Sequence, residues 1–238
     1  LLIRGDLKME IIPIIEKDEL ARLLGGDEFG NISRLTRLKI EKLETIFEKL
    51  VEPSLYHQNT GIDSVEKGTV HLEKGPKFKS PKLSKMLKDC DDIICYIATL
   101  GDGVEGEIKR LMDKKHMAEA YILDAMASVA ADNMVATFHR RMKDEYKDQG
   151  KQVTLCFSPG YCDWPITEQK KLFKLLDSQD VDVELNDSCL MTPRKSISGV
   201  FGIQSDHQNG KTPYNPCWDC NKTDCPARRA PKRERKIT

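Results

Sequence analysis

The chain has 238 residues, 39% of them hydrophobic and 32% charged, and its 38 basic and 38 acidic side chains cancel to a formal net charge of zero. Such a length suffices for one large domain with a substantial core. The balance excludes a long-range attraction of the whole molecule for nucleic acid or an anionic membrane, and no apolar run approaches the roughly 20 residues that span a bilayer. No stretch carries the charged head, apolar body and small-residue cleavage site of a secretory signal, so the expected location is the cytoplasm. Residues 1–8, LLIRGDLK, precede Met9 and are expected to be a vector-derived remnant.

In chain order, MEIIPI from Met9 predicts a short strand. Leu35, Leu38, Leu43, Ile46, Phe47 and Leu50 recur at helical spacing, with Ser33 as cap and Pro53 as stop. Residues 56–81 are rich in Gly, Lys and Pro, and TVHL is the strand expected within them. SKMLKDCDD then leads as a helical turn into the buried strand IICYIATL. From Val104 to Tyr146 the pattern is helical, with a break near Lys114 to Met117. QVTLCF predicts a strand, TEQKKLFKLLDS a helix capped by Thr167, and VDVEL and SISGVFGI two further strands around NDSCLMTPRK. Strands, a helical block and strands again suggest an α+β fold, with helices gathered against a largely antiparallel sheet. The expected division is a remnant at 1–8, a domain at 9–204 and an irregular extension containing cysteines and basic residues at 205–238.

Gly101, Gly103 and Gly106 stand in G-x-G-x-x-G spacing between a strand and a helix, the arrangement that cradles a pyrophosphate. Asp102, Glu105 and Glu107 would repel one, so the segment reads as a structural turn. No G-x-S-x-G, Walker loop or His-carboxylate motif supports a hydrolase or a kinase, and the five histidines form no ligand pattern.

Eight cysteines without a secretory signal point to thiols or metal ligands rather than a disulfide framework. Cys217, Cys220 and Cys225 form C-x2-C-x4-C, whose spacing lets three thiolates converge on one soft ion, zinc or an iron–sulfur cluster. The fourth ligand is open among Cys162, Cys189, Cys156 and His207. Cys162 is the expectation adopted, with Cys156 and Cys162 as ordinary packing residues the plainer alternative. The tail ARRAPKRERKIT is basic, but one short charge run makes nucleic-acid binding an unfavoured reading.

CFSPGYCDWP, residues 156–165, holds a turn in which Pro159 fixes its own backbone angle and Gly160 permits one closed to other residues. Such a turn exposes peptide groups and can hold a ligand.

SPGYCDWPITEQKKLFKLLD followed by LNDSCLMTPRKSISGVFGI resembles the activation, or reactivation, domain of cobalamin-dependent methionine synthase, especially its stand-alone relatives. The matching positions are Pro159, Gly160, Tyr161, Leu172, Phe173, Leu185, Ser188, Met191, Pro193, Ser196, Ser198 and Gly199, and the likeness covers roughly residues 90–203. It implies a helmet-like or C-shaped α+β domain with a twisted antiparallel sheet. It also implies S-adenosylmethionine bound near the turn through Cys156, Pro159, Gly160, Tyr161, Arg194, Ser196, Ser198 and Gly199. By the same resemblance the domain docks on a corrinoid protein or cobalamin-dependent methyltransferase. There a reductant protein converts Co(II) to Co(I), which takes the methyl group; the corrinoid belongs to the partner. Where the family pattern begins with Arg, this chain has Cys156, which removes a partner for the methionine carboxylate. Either Arg194 or Lys195 compensates, or the ligand is lost. In that second case the scaffold carries a zinc or iron–sulfur protein of electron transfer or complex assembly.

Overall fold

The computed structural model describes residues 7–176, 181–205, 214–225, 228 and 230–232. Its centre is β5 (Asp92–Thr99). Alternation along that strand places Ile94, Tyr96 and Ala98 on one face and Ile93, Cys95 and Ile97 on the other, all almost without solvent contact. A strand buried on both faces must lie inside a sheet covered on each side.

The sheet is antiparallel throughout. β5 pairs on one side with β2 (Ser54–Glu66) and on the other with β9 (Ser196–Ser205), which in turn pairs with β6 (Lys151–Val153). Beyond β2 lie β3 (Thr69–Leu72) and β4 (Phe78–Lys79), and β1 (Leu7–Met9) pairs with the first part of β2. A separate hairpin joins β7 (Glu184–Leu185) to β8 (Met191–Thr192). The pairing of Leu7 and Lys8 with His57 and Tyr56 starts the sheet ahead of Met9. Residues 10–16 have no regular structure, unlike the strand predicted there. Pro13 lacks a ladder donor, and Ile12 and Ile14 stand exposed.

One face is covered by four helices: α1 (Lys17–Leu23), α2 (Arg34–Leu50), α4 (Gly103–Asp113) and α5 (Met117–Asp148). Leu55, Ile94, Tyr96 and Phe201 from the sheet join Phe47, Leu123, Met134 and Phe138 from the helices in this first core. The Ser33 side chain accepts from Thr36 N–H and caps α2, as the sequence predicts. Ala120, Ala125, Ala127, Ala130 and Ala131 of α5 are buried in this core, where small side chains allow a close approach. The second core lies on the opposite face, where α3 (Pro81–Met86) and α6 (Gln169–Leu175) bury Leu83, Leu172 and Phe173 against Ile93, Cys95, Ile97 and Val200. Thr167 does not cap α6. A 3-10 turn over Ile166–Glu168 precedes the helix, and Pro165 supplies the carbonyl that starts it. Among the described residues no helix is long and apolar enough to cross a membrane.

Gly101 (φ 77°) and Gly103 make the strand-to-helix turn into α4. A Cβ on Gly103 would lie 2.5 Å from the Leu50 carbonyl oxygen, so the glycines serve close packing of α2 against the turn.

Two expected outcomes arise from this packing. A Cβ at Gly202 would lie 2.5 Å from both the Cys90 sulfur and a Leu87 methyl, so Gly202→Ala should cost about 1–3 kcal/mol, read as a lower urea midpoint. His57 is buried beside the Phe138 ring, with no hydrogen-bond partner at either ring nitrogen, and burial lowers its pKa. Below about pH 6.5 the unfolded chain therefore takes up a proton that the native chain refuses. The stability lost by going from about pH 7.5 to about pH 5.5 should shrink in His57→Gln; an unchanged pH slope would remove His57 as its source.

Candidate functional site

The turn singled out in the sequence leaves the sheet at a bulge. From Val153 to Phe157 the chain advances four residues while β9 retreats three, from Ile203 to Val200. The extra residue reverses the faces. Val153 therefore belongs to the first core and Phe157 to the second, although strict alternation would place both on one side. Thr154 holds the irregularity. Its N–H donates to Gly202 O, its hydroxyl accepts from Gly202 N–H, and its carbonyl accepts from His139 Nε2 of α5 at 2.7 Å. This is why the predicted strand over residues 152–157 is broken into β6 and an isolated bridge.

Beyond the bridge, Tyr161 N–H donates to Ser158 O at 3.2 Å across Pro159 and Gly160, and Gly160 has φ 92°, the arrangement of a type II turn. A second turn comes at once, with Trp164 N–H donating to Tyr161 O and Gly160 N–H to Trp164 O. Trp164 is 1% exposed, stacked on Phe157 and edge-on to Phe78. The Asp163 carboxylate accepts from Ser80 Oγ and from Lys82 N–H, so it shares with Ser80 the capping of α3. The Asp-Trp segment is thus the anchor of the turn. Tyr161, by contrast, is 54% exposed.

The sequence-predicted ligand residues separate into two groups. Tyr161 and Arg194 reach solvent, as does Cys162. Ser196, Ser198 and Gly199 are interior to β9. Ser196 Oγ donates to Pro193 O and is hydrogen-bonded to the Thr99 hydroxyl, and a Cβ at Gly199 would strike the Tyr96 hydroxyl and crowd Ser158 Oγ. These three shape the strand beneath the turn. The amide donors of Gly160 and Tyr161 are already bonded within the loop, so a ligand there meets carbonyl oxygens and the Tyr161 ring.

Cys156 packs against the first core, on the face of the sheet away from Trp164. Lys195 is engaged with α5, its ammonium 2.8 Å from the Asp124 carboxylate and 2.9 Å from Ser128 Oγ. Arg194 is exposed, its N–H bonded to Glu105 of α4. The four steps of β9 from Val200 back to Ser196 cover about 13 Å, so neither cation stands beside Cys156.

The C-terminal cysteines approach the turn from the other side. A 3-10 turn over Pro216–Asp219 docks on α3, where Asp219 accepts from Lys82 at 2.6 Å, Lys85 at 2.8 Å and the Tyr214 hydroxyl at 2.6 Å. Desolvation would raise the Asp219 carboxyl, but these bonds hold it well below the usual carboxylate range. Burial pushes the Cys162 thiol up to about 11, aided by the nearby Cys220 and Cys217 sulfurs and opposed by Lys82. Arg228 closes the segment on itself, donating to the carbonyls of Cys217, Cys220, Lys222 and Ala230. Cys189 is buried in the β7–β8 connection, and burial raises the thiols of Cys90 and Cys95 to about 12. Among the described residues no cysteine is disulfide-bonded, and no three Cys, His, Asp or Glu side chains are arrayed around a common point. His207 and the basic positions Arg229, Arg233, Arg235 and Lys236 lie outside the described residues.

Sequence reasoning missed Asp163 and Trp164 as the anchors, although Trp-Pro directly after a turn is a legible docking signal. It missed Lys82 entirely, since nothing in SPKLSK marks it as a bridge.

No curated protein matches the sequence. Among solved structures the chain is similar to the MetH reactivation domain bound to AdoHcy, with a TM-score of 0.62 and 16% identity over 87% of this chain and 80% of that one. That likeness is one of fold. The family described as vitamin B12 dependent methionine synthase, activation domain, matches residues 83–210, more than half of the sequence, from within α3 through β9. The chain belongs to the family of vitamin B12-dependent methionine synthase activation domains.

Proposed function

We propose that the protein is a cytoplasmic reactivation module. It binds S-adenosylmethionine at the Pro159–Tyr161 turn and docks on a separate corrinoid protein or cobalamin-dependent methyltransferase. The observation that carries this reading is the turn itself, fixed between a bulge and a buried tryptophan in a chain of this family. The MetH reactivation domain that shares the fold is bound to AdoHcy, which is what S-adenosylmethionine becomes on losing its methyl group.

The residues present suit such a ligand at one end. A sulfonium is a cation, and the exposed Tyr161 ring with the Gly160 carbonyl offers a π face and a negative dipole to it. The methionine carboxylate lacks the family arginine, since Cys156 occupies that position and faces the first core. Arg194 is the exposed cation of the matched segment and is the partner assigned to it here. When bound, S-adenosylmethionine supplies the methyl group and the partner's corrinoid the cobalt that accepts it, the electron coming from a reductant protein. This chain's contribution is positioning: a rigid turn that holds the methyl donor at a fixed place on the surface.

Calorimetric titration of the anaerobically purified chain with S-adenosylmethionine and with AdoHcy tests this reading. One-site binding of roughly micromolar affinity, about −8 kcal/mol, is expected. A Cβ on Gly160 would approach Ile166 Cδ1 to 3.2 Å at a left-handed φ, so Gly160→Val should abolish binding. Tyr161→Ala, at an exposed position, should weaken it about tenfold, or about 1.4 kcal/mol. Folded protein that binds neither compound refutes the reading.

A further inference from the structure

The C-x2-C-x4-C segment is unexplained by the methyl-donor site, and its surroundings point to a site of its own. Two chain segments far apart in sequence meet at the start of α3. From one side comes the loop after the turn, where Asp163, next to Cys162, accepts from Ser80 Oγ and Lys82 N–H. From the other comes the Pro216–Asp219 turn, which contains Cys217, is followed at once by Cys220, and presents Asp219 and the Pro216 carbonyl to Lys82 Nζ. One lysine therefore joins the neighbours of Cys162 to those of Cys217 and Cys220.

Two further features fit. Cys162 has φ 53°, a left-handed conformation that side chains other than Asn and Asp rarely adopt and that clusters at functional positions. The Arg228 guanidinium, by binding the carbonyls of Cys217, Cys220 and Lys222, curls the backbone into a tight loop of the kind that presents several thiolates to one ion. The remaining cysteines are elsewhere: Cys90, Cys95 and Cys189 are buried, and Cys156 faces the first core.

We propose that Cys162, Cys217, Cys220 and Cys225 are the four ligands of a soft-metal centre that latches the C-terminal segment beside the Pro159–Gly160 turn. The shared chemistry is tetrathiolate coordination, taken by zinc or by a [4Fe–4S] cluster. The side chains are not gathered around a common point; the ion draws them in, as binding and local ordering are coupled at thiolate sites. Sulfurs that repel one another as thiolates become ligands once a cation lies between them, and Lys82, Lys85 and Arg228 offset the excess negative charge.

The test is metal analysis with visible spectroscopy on the full chain purified without oxygen, read independently of any S-adenosylmethionine binding. Stoichiometric zinc with no colour, or iron and sulfide with a broad visible absorption bleached by dithionite, is expected, and the two results distinguish the ions. Cys162→Ser and Cys225→Ser should each lose the metal while Cys189→Ser keeps it. Cobalt(II) added to metal-free protein gives a second readout, since intense tetrahedral thiolate bands should form and should be lost in Cys162→Ser of unchanged circular dichroism. Metal-free protein that yields no such bands, metal retained in full by Cys162→Ser, or a disulfide joining any two of the four cysteines overturns the proposal.

Discussion

The site depends on one inserted residue. Without the bulge between Val153 and Phe157, Phe157 would stay on the helical face and Trp164 would have no ring to stack on. The chain could not then carry a turn onto the second core while β6 remains packed under α5. The bulge is held by a threonine hydroxyl standing in for a ladder carbonyl and by His139 reaching across from α5. Bulges cost pairing but re-aim the chain beyond them. Here the re-aimed element is the Ser158–Tyr161 turn, and its direction is fixed by strand, helix and buried indole together.

Around that irregularity the sheet is conventional, and this decided how much of it was legible in the sequence. The segment IICYIATL announces a doubly buried strand because every residue is apolar or small. The two helices α4 and α5, with their break, are evident from periodicity. β2 was hidden for the opposite reason. Its sequence, SLYHQNTGIDSVE, mixes His57, Gln58, Asn59 and Thr60 into a strand whose first half is interior. Position in the sheet overrode composition, at the cost of buried polar atoms such as those of His57 without partners. The seven-residue α1 has no side-chain cap to betray it. Capping also misled at Thr167, because the proline before it had already started a 3-10 turn.

At the site, the turn and its family were legible from Pro-Gly-Tyr and the spaced motifs after it. The role of each residue there was not. Ser196, Ser198 and Gly199 read as ligand-lining from their motif, yet all three are buried in β9, where Ser196 bonds to Thr99 and Pro193 and Gly199 lies against Tyr96. Of the two cations that could compensate for Cys156, Lys195 is bound to Asp124, and exposed Arg194 lies several strand residues away, so it would reach a ligand from a different place than a residue at position 156. Sequence proximity is a poor guide to which charge can reach which ligand end in an extended strand.

The C-terminal segment is held to the domain by contacts that are largely polar among the described residues: the mostly covered Lys82 and the exposed Lys85 on the half-exposed Asp219, and Lys85 over the Tyr214 ring at 4.2 Å. Exposed ion pairs contribute about 0–1 kcal/mol each. Holding one residue's backbone in place costs about 1–2 kcal/mol. Of the 3-10 turn that docks the segment, only Pro216 is buried. Besides the ion pairs and the cation–π contact, Lys82 donates to the Pro216 carbonyl and Tyr214 packs against the second core. The Arg228 bonds to carbonyls hold the loop to itself rather than to the domain. A structural tetrathiolate centre contributes apparent free energies of about 10–16 kcal/mol in small folding units. With Cys162 among its ligands, that energy would act between the segment and the turn.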